Sequence, residues 1–345
     1  MGGQKGMLDF DQLNIDYVND NYYALQLEVG DRCYQGCIYC YMNAVAETKN
    51  ELTDAIISAV LVDAKELGFT TIEWLGGEPL LRKNIFRFME QAKKLGLKNN
   101  MWTGGLPFAD LKTVEKTAEL CDDGYISVHL STLDQKLYKI FHPQRESDDI
   151  AVILNGIEHL LKIGYPPAQI LNSVTFTGLQ TAADLIATME FFYREYGIQT
   201  SINVYHTYLR PGYSQDELLK FIPQPEEVLK VYSRYRNLIQ ADNLPMNCVN
   251  KQYCATTVAV LNNGFVTPCA TIREEKAGLN VKDDSFRNIV SAHRSYLSFQ
   301  YLKTEQNLPT GCQKCGLKSQ CWGCRSRSYA AGNGLYGKDP RCFRS

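Results

Sequence analysis

Three cysteines lie close together near the start of the chain, in the segment Cys33-Tyr-Gln-Gly-Cys37-Ile-Tyr-Cys40. Three thiolates at this spacing, with a glycine that lets the backbone wrap, can bind three irons of a cubane cluster. Clusters that only transfer electrons normally take four cysteines, and structural zinc also takes four ligands. The segment therefore predicts a [4Fe–4S] cluster with one iron open to nitrogen and oxygen donors. A zinc site completed by a distant residue, or three buried cysteines, is the alternative.

A second motif, Gly76-Gly77-Glu78-Pro79, follows a predicted strand. The two glycines allow a ligand to approach the backbone, and the Glu78 carboxylate can accept hydrogen bonds from an ammonium group. Such a string alone is typical of a turn. Its predicted position beside the cysteine loop makes it a candidate cofactor-binding segment.

Eight further cysteines lie beyond residue 240: Cys248, Cys254, Cys269, Cys312, Cys315, Cys321, Cys324 and Cys342. Eight thiols are enough for two four-thiolate sites, although paired Cys-x2-Cys elements are also common in zinc ribbons. Cys121, on a predicted helix, is interpreted as core packing. Basic side chains in the same tail would stabilise the negative charge of reduced clusters: Lys314, Lys318, Arg325, Arg327, Lys338, Arg341 and Arg344.

The first two thirds of the chain alternate between predicted strands and helices. Strands are predicted at Tyr23–Val29, Thr71–Leu75, Leu97–Trp102, Tyr125–Ser131, Ile170–Phe176 and Thr200–Tyr205. Helices are predicted from Thr53 to Gly68 and at Asn84–Leu95, Pro107–Leu120, Asp148–Ile163, Thr181–Tyr196 and Pro225–Ile239. Six such units imply parallel strands with right-handed crossovers, either in an open sheet or in a curved partial barrel. In both, chemistry is expected at the carboxyl ends of the strands.

With its cysteine loop, Tyr39 before the third cysteine, and the Gly76–Pro79 segment, the chain resembles the radical SAM superfamily. The resemblance implies an α/β fold, a partial (β/α)6 TIM-type barrel followed by a small cysteine-rich iron-sulfur domain. Residues 1–20 would form an N-terminal segment, 21–240 the barrel and 241–345 the cysteine-rich domain.

The resemblance also implies cofactor contacts. The open iron would bind the amino and carboxylate groups of S-adenosylmethionine (SAM), with Gly77 and Glu78 near the amino group and Tyr39 near the adenine. Ser131 matches the segment that contacts the ribose and carboxylate in this family. Arg145 is a candidate partner of the methionyl carboxylate.

The later cysteines resemble the SPASM extension of this family, which carries two auxiliary [4Fe–4S] clusters. One would be held by Cys248, Cys254, Cys269 and Cys324, and the other by Cys312, Cys315, Cys321 and Cys342. One departure is that two residues, rather than the usual three, separate Cys321 from Cys324. The number of cluster ligands is therefore better defined than their division between the two clusters.

The implied reaction is an oxidation. A reduced cluster at Cys33, Cys37 and Cys40 cleaves SAM to a 5′-deoxyadenosyl radical, which abstracts a substrate hydrogen atom, and the auxiliary clusters accept an electron. A flavodoxin or ferredoxin is the expected one-electron reductant. Our first hypothesis is a maturase that dehydrogenates or cross-links a peptide or protein side chain. Sulfatase maturation itself is disfavoured, because those relatives have an aspartate where this chain has Ala270.

Two alternatives belong to other classes. The segment from Cys324 to Cys342 resembles tails of tetrapyrrole side-chain decarboxylases, so a small-molecule substrate is the second hypothesis. A non-enzymatic adaptor or electron carrier stabilised by zinc is the third. Candidate substrate contacts are Glu28, Tyr205, Tyr208 and Arg210. The histidines show no metal-ligand spacing and are interpreted as core or surface residues: His129, His142, His159, His206 and His293.

Composition limits the partners. Lys and Arg together number 36 against 38 Asp and Glu, which gives a net charge of −2 and does not favour nucleic-acid binding. The longest apolar stretch, near 55–62, is too short to cross a bilayer, and no signal-peptide pattern precedes the first strand. We therefore expect a cytoplasmic protein without a membrane partner, whose cysteines bind metal rather than form disulfides.

The cysteine count generates a metal-content prediction. Anaerobically purified protein should be brown and contain about twelve irons per chain if three cubanes are present. The triple variant Cys33→Ala, Cys37→Ala, Cys40→Ala should retain roughly two thirds of that iron. Elemental analysis and the visible absorption spectrum measure both. A colourless, zinc-loaded, iron-free protein would instead support the adaptor hypothesis.

Overall fold

A computed structural model describes residues 9–145, 148–205, 214–239 and 250–342. An eight-stranded sheet lies at the centre of these residues. Its strands are β1 (Ala24–Glu28), β2 (Thr71–Leu75), β3 (Lys98–Thr103), β4 (Tyr125–His129), β5 (Ile170–Phe176), β6 (Gln199–Val204), β7 (Thr257–Val260) and β8 (Val266–Thr267). Their order across the sheet is β6-β5-β4-β3-β2-β1-β7-β8. Every neighbouring pair is parallel except β7 and β8.

Helices cover the outer face of this sheet and build the C-terminal region. They are α1 (Phe10–Val18), α2 (Asp54–Glu66), α3 (Ile85–Lys94), α4 (Leu111–Leu120), α5 (Gln135–Phe141), α6 (Asp149–Lys162), α7 (Ala182–Tyr196), α8 (Gln215–Leu219), α9 (Pro225–Ile239), α10 (Lys251–Thr256), α11 (Phe286–Ala292), α12 (Arg294–Leu297), α13 (Gln300–Lys303), α14 (Thr310–Gln313) and α15 (Arg325–Ala330). Short 3-10 helices lie at Pro79–Leu81, Leu106–Ala109, Pro167–Gln169 and Glu305–Asn307. No helix in the described ranges is long and apolar enough to span a membrane.

The predicted α/β partial barrel is confirmed, with a cysteine-rich region after it. Strands β2 and β5 have the predicted bounds, and the other four predicted strands differ by one or two residues at an end. One predicted helix, Pro107–Leu120, is divided, because the Asp110 side chain accepts a hydrogen bond from the Lys112 N–H and starts a new helix there. The predicted change of domain near residue 240 lies outside the described residues.

Side chains alternate between the two faces of each strand. On β4, Ile126 and Val128 point outward into the main hydrophobic core, while Ser127 and His129 line the barrel interior. Strands β5 and β6 repeat this arrangement. The apolar half of each strand therefore binds the helices, and the polar half is left to build a cavity.

Strand β7 was not predicted, because its four residues are all buried and show no alternation between polar and apolar positions. It pairs with β1 on the side opposite β2, with Ala24 facing Thr257. The C-terminal region therefore shares a sheet with the barrel. A separate hydrophobic cluster around Trp322 packs the helices beyond β8.

A buried ion pair connects these parts. Both carboxylate oxygens of Glu28, on β1, accept hydrogen bonds from Arg273 at 2.7 Å. The same carboxylate accepts from the backbone N–H of Asn262 at 3.0 Å and from the phenol of Tyr41 at 3.0 Å. Glu28 is fully buried, and Arg273 also donates to the Asn262 side chain. Four hydrogen bonds thus hold the cysteine loop, β1 and the C-terminal region together.

This ion pair generates a stability prediction. Arg273→Met leaves the Glu28 charge buried and unpaired, so we expect the free energy of unfolding to fall by about 3–5 kcal/mol. Adding Glu28→Gln should recover much of that loss. Chemical denaturation measures both values.

The matched control is Arg287→Met, which removes the partner of Glu66 in an ion pair whose side chains are 55% and 48% exposed. Its cost should be below about 1 kcal/mol. Equal losses in Arg273→Met and Arg287→Met would contradict the proposed importance of the buried pair.

Candidate active site

The three clustered cysteines lie in a loop that is ordered by hydrogen bonds to its backbone. Asp31 orders the loop, because its carboxylate accepts hydrogen bonds from the N–H groups of Lys49 and Asn50 at 3.0 and 2.9 Å. Gly36 has a φ of +64°, a left-handed conformation that glycine adopts without strain. Cys33, Cys37 and Cys40 all line one cavity of about 280 Å³ inside the barrel.

The surroundings of these thiols fit an iron-sulfur cluster. Backbone N–H groups of Gln35 and Ala44 donate to the sulfurs of Cys33 and Cys40 at 3.4 and 3.5 Å. Burial raises the pKa of the Cys33 thiol to about 12, so a bound cation is needed to stabilise its thiolate at neutral pH. Amide donors to sulfur stabilise the negative charge of such a cluster. The residues present therefore fit a cluster with one protein-free iron.

Gly76 and Gly77 line the same cavity, but close packing of backbone explains their identity more directly. A Cβ at Gly77 would lie 2.3 Å from the carbonyl oxygen of Arg32. The N–H groups of Gly77 and Glu78 donate to the carbonyls of Gly30 and Arg32 at 2.9 and 2.7 Å. The glycines thus let the segment after β2 bind the cysteine loop, in addition to any ligand. The next residue, Pro79, is buried and begins a 3-10 helix.

Glu78 is buried beside the cysteine loop. One carboxylate oxygen accepts from the Thr103 hydroxyl at 2.8 Å and the Gly104 N–H at 2.7 Å, and the other accepts from the Leu80 N–H at 3.2 Å. Burial raises its pKa to about 7 despite these bonds. Glu78 lines a second cavity of about 210 Å³, next to Cys33. An ammonium group placed there would favour its ionised form.

Arg145 lines this second cavity. Its guanidinium forms two hydrogen bonds with the Asp149 carboxylate, at 2.7 and 2.8 Å. A methionyl carboxylate, the predicted partner of Arg145, would therefore compete with Asp149 for this guanidinium.

Tyr39 is the centre of a polar network that the sequence did not reveal. Its hydroxyl lies 2.8 Å from Nε2 of His129, 3.5 Å from Nε2 of His142 and 3.4 Å from the Ser131 hydroxyl. Burial lowers the pKa of His129 to about 4 and that of His142 to about 3, so both imidazoles are neutral at pH 7. Ligand atoms of Cys37, His129 and His142 lie within 4.8 Å of one another. The only sequence signal for His129 was its inward position on β4.

Ser131 braces this network against β5. Its hydroxyl accepts from the Thr175 N–H at 3.1 Å, and its carbonyl accepts from the Gln180 side chain at 2.6 Å. Its predicted contact with the ribose is thus at most one of several roles.

The inner faces of β4, β5 and β6 add a row of small polar side chains to the main cavity: Ser127, Ser173, Thr175, Ser201 and Asn203. The Ser127 hydroxyl is buried and has no hydrogen-bond partner among the described residues. Tyr205 also lines this cavity, whereas Tyr208 and Arg210 lie outside the described residues. The expectation that Glu28 faces the cavity is corrected, because its carboxylate is occupied by Arg273, Tyr41 and Asn262.

The later cysteines fall into two neighbouring groups. Burial raises the pKa of the Cys254 thiol well above its usual value, and the adjacent thiols of Cys269 and Cys324 add to that rise. We call these three the inner cysteine group. Burial likewise raises the pKa of Cys312 and Cys321, with further contributions from their neighbours. The outer cysteine group consists of Cys312, Cys315, Cys321 and Cys342. Cys248, predicted to join the inner group, lies outside the described residues.

Sulfur atoms in both groups form hydrogen bonds. The N–H groups of Leu317 and Gly323 donate to Cys315 and Cys321 at 3.4 and 3.2 Å. In the inner group, the Cys269 sulfur lies 3.1 Å from the Thr271 hydroxyl. These donor sets fit anionic clusters. Cys121, by contrast, is buried in the main core at the end of α4, as predicted.

Cys269 and Tyr253 also line the main cavity. The phenols of Tyr253 and Tyr125 donate to the buried Glu73 carboxylate at 2.6 and 3.0 Å, and Gln26 donates to it at 3.1 Å. Gln26 in turn accepts from the Ala270 N–H at 3.0 Å. This network, which sequence reasoning missed, connects the cavity with the inner cysteine group.

Comparison with known proteins is consistent with this geometry. Residues 27–192, from β1 to α7, match the radical SAM superfamily. The chain carries a radical SAM domain. The matched region includes the cysteine loop, the Gly76–Pro79 segment and the Tyr39 network, so the resemblance expected from these motifs is confirmed.

Two kinds of curated relative are similar to the chain. A probable GTP 3′,8-cyclase of Methanopyrus kandleri is 29% identical over 48% of this chain and 53% of the relative, so the match spans about half the length of that protein. A PqqA peptide cyclase of Xanthomonas campestris pv. campestris is 26% identical over 93% of this chain and 87% of the relative. The second likeness includes the cysteine-rich region.

Solved structures share the fold. SuiB of Streptococcus suis bound to S-adenosylmethionine superimposes with a TM-score of 0.68 at 19% identity, over 93% of this chain and 77% of that chain. SuiB bound to its precursor peptide SuiA has a TM-score of 0.67 at 17% identity, over 96% of this chain and 80% of that chain. The likeness thus continues beyond the barrel into the region assigned to a SPASM-type extension.

The buried Glu78 generates a pH prediction. Its pKa of about 7 exceeds the ordinary value of 4.5, so between these values the folded state binds a proton that the unfolded chain has lost. The free energy of unfolding should therefore fall as the pH rises through this window, by on the order of 2 kcal/mol between about pH 5.5 and about pH 8.

Glu78→Gln cannot ionise and should lack this contribution. Anaerobic urea denaturation of both proteins at the two pH values, without added SAM, measures the difference in slope. Parallel pH dependence of the variant and the wild type would contradict the assignment.

Proposed function

We propose that the protein is a SPASM-type radical SAM oxidoreductase that modifies a peptide or protein side chain by dehydrogenation or cross-link formation. The observation that carries the proposal is a single cavity lined both by Cys33, Cys37 and Cys40 and by Cys269 of the inner cysteine group. Hydrogen abstraction and electron removal can therefore take place around one bound substrate.

The chain's thiols define the proposed cofactors. Cys33, Cys37 and Cys40 would hold the cluster that binds SAM. The inner cysteine group, with Cys248, and the outer cysteine group would hold two auxiliary [4Fe–4S] clusters, in a domain that begins after about residue 240. When bound, the SAM-binding cluster and SAM supply reductive cleavage and a radical able to abstract a hydrogen atom from carbon. A flavodoxin or ferredoxin would supply the electron for that cleavage.

The described residues around the cavity suit such chemistry. Tyr39 and His129 present neutral hydrogen-bonding groups, and the strand residues Ser127, Ser173 and Ser201 present hydroxyls. Neutral donors can orient a substrate side chain without ionic attraction to its carboxylates.

Residues that line the same cavity can complete the oxidation. A substrate that has lost a hydrogen atom must still lose one electron and one proton to become the oxidised product. Cys269 would hold the electron acceptor. The Glu73 carboxylate, bonded to the cavity-lining phenols of Tyr125 and Tyr253, can accept the proton through them. This arrangement supplies a carboxylate near Ala270, where sulfatase-maturing relatives have their aspartate.

The similar proteins support a peptide substrate. The PqqA peptide cyclase matches across 93% of this chain, and the SuiB structure bound to a precursor peptide matches across 96%. Both likenesses extend beyond the radical SAM domain, whereas the GTP cyclase match covers 48% of the chain. Similarity that includes the C-terminal cysteines therefore favours the peptide-modifying relatives.

The proposal generates an activity prediction. Reduced, reconstituted protein with SAM and its precursor peptide should release 5′-deoxyadenosine and a peptide lighter by two hydrogen atoms, both detected by mass spectrometry. The control is the triple variant Cys33→Ala, Cys37→Ala, Cys40→Ala, which should form neither product because the ligands of the SAM-binding cluster are gone.

Two outcomes would count against it. Loss of carbon dioxide from a carboxylate-rich pigment, with no change to peptides, would support the decarboxylase hypothesis instead. Failure to form 5′-deoxyadenosine with any substrate would remove the radical reaction altogether.

A further inference from the structure

Arg325 is a buried cation whose guanidinium is hydrogen-bonded to main-chain carbonyls. Its side chain is 2% exposed and lies at the start of α15, directly after Cys324. The guanidinium donates to four backbone carbonyls, at distances of 2.5 to 3.1 Å: those of Gly323, Leu335, Gly337 and Trp322. In the described ranges no carboxylate oxygen is hydrogen-bonded to it. Carbonyl dipoles fix the position of the guanidinium but leave its net charge in place.

Two buried arginines share one nearby carboxylate. Arg327 forms three hydrogen bonds with Asp339, the shortest at 2.7 Å, and the charge of Asp339 also attracts Arg325. The same carboxylate accepts from the N–H groups of Cys324 and Arg341 at 2.9 and 3.0 Å. Asp339 supplies one negative charge against the two positive charges of Arg325 and Arg327, so one buried positive charge is left over among these three side chains. An unbalanced buried charge is costly unless an anion lies close by.

The position of Arg325 indicates which anions these are. Its guanidinium donates to the carbonyls of Trp322 and Gly323, the two residues that separate Cys321 of the outer cysteine group from Cys324 of the inner one. Arg325 thus lies against the segment that joins a ligand of each group. Gly323 makes room for it, because a Cβ there would lie 2.8 Å from the guanidinium nitrogen.

From this geometry we propose that Arg325 is a positioning residue shared by the two auxiliary clusters, whose positive charge stabilises the reduced form of both. The inference rests on the proposed function, since it requires both clusters. Reduction adds one negative charge to a cluster without a change in its protein ligands. A fixed cation between two clusters therefore makes each of them easier to reduce, and in this way assists the transfer of the substrate electron out of the cavity. Exposed cations have a smaller effect on the reduction of a cluster, because water and salt screen their charge.

The test measures midpoint potentials of the holoprotein by redox titration monitored by EPR. Arg325→Gln should lower the potentials of both auxiliary clusters, with each reduction equilibrium constant falling about tenfold, which is about 59 mV for a one-electron couple. Arg325→Lys keeps the charge and should stay within about threefold of wild type. The cluster at Cys33, Cys37 and Cys40 is an internal reference that should not change.

Lys314→Gln is the matched control, because it removes the same charge from an exposed side chain between Cys312 and Cys315. Its effect should be below about threefold. An Arg325→Gln protein with full iron and unchanged potentials would overturn the inference, and so would a shift confined to one cluster.

If Arg325→Gln binds no auxiliary iron, Arg325→Lys decides the question. Full iron with near wild-type potentials in the lysine variant supports the role of charge, whereas loss of iron there too overturns it. If the wild-type protein contains iron for only one cluster, the proposed function itself is wrong, whatever the potentials of the variants.

Discussion

The structure depends on one buried carboxylate. Glu28 lies at the end of β1, where the cysteine loop leaves the sheet, and it binds Arg273, Tyr41 and the backbone of Asn262. Tyr41 follows Cys40, and Arg273 lies four residues after Cys269. A single set of hydrogen bonds thus fixes the distance between the loop that would bind the SAM-binding cluster and the inner cysteine group. Electron transfer and radical chemistry both require such fixed distances.

The buried groups near the cavity are mostly neutral, whereas those near the C-terminal cysteines include positive charges. Around the cavity, burial keeps His129 and His142 neutral and favours the protonated form of Glu78. Around the C-terminal cysteines, by contrast, buried arginines lie among the thiols. Neutral walls suit a site where a radical must react with one bound side chain. Positive charge suits sites that must hold added electrons.

The sequence predicted the parts of this protein that are local along the chain. The spacing of the cysteines predicted the cysteine loop, and the glycine pair predicted the segment beside it. The period of two along the chain predicted six of the strands. The contacts that complete the site are not local: Glu28 and Arg273 are 245 positions apart, and Tyr253 and Glu73 are 180 apart. Strand β7, buried on both faces, carries no periodic signal. No pattern of residues indicated that Tyr39 would lie between two histidines, because that contact depends on how α5 packs beneath the loop.

The hydrogen bonds that join the cysteine loop to the segment after β2 use main-chain atoms alone: Gly77 to Gly30, and Glu78 to Arg32. Every amino acid supplies the acceptor carbonyl, and every one except proline supplies the donor N–H. The exposed side chains of Arg32 and Tyr34 can consequently vary without displacing the thiols beside them. The outer surface of the loop can thereby change its shape and charge while the positions of the thiols stay as they are.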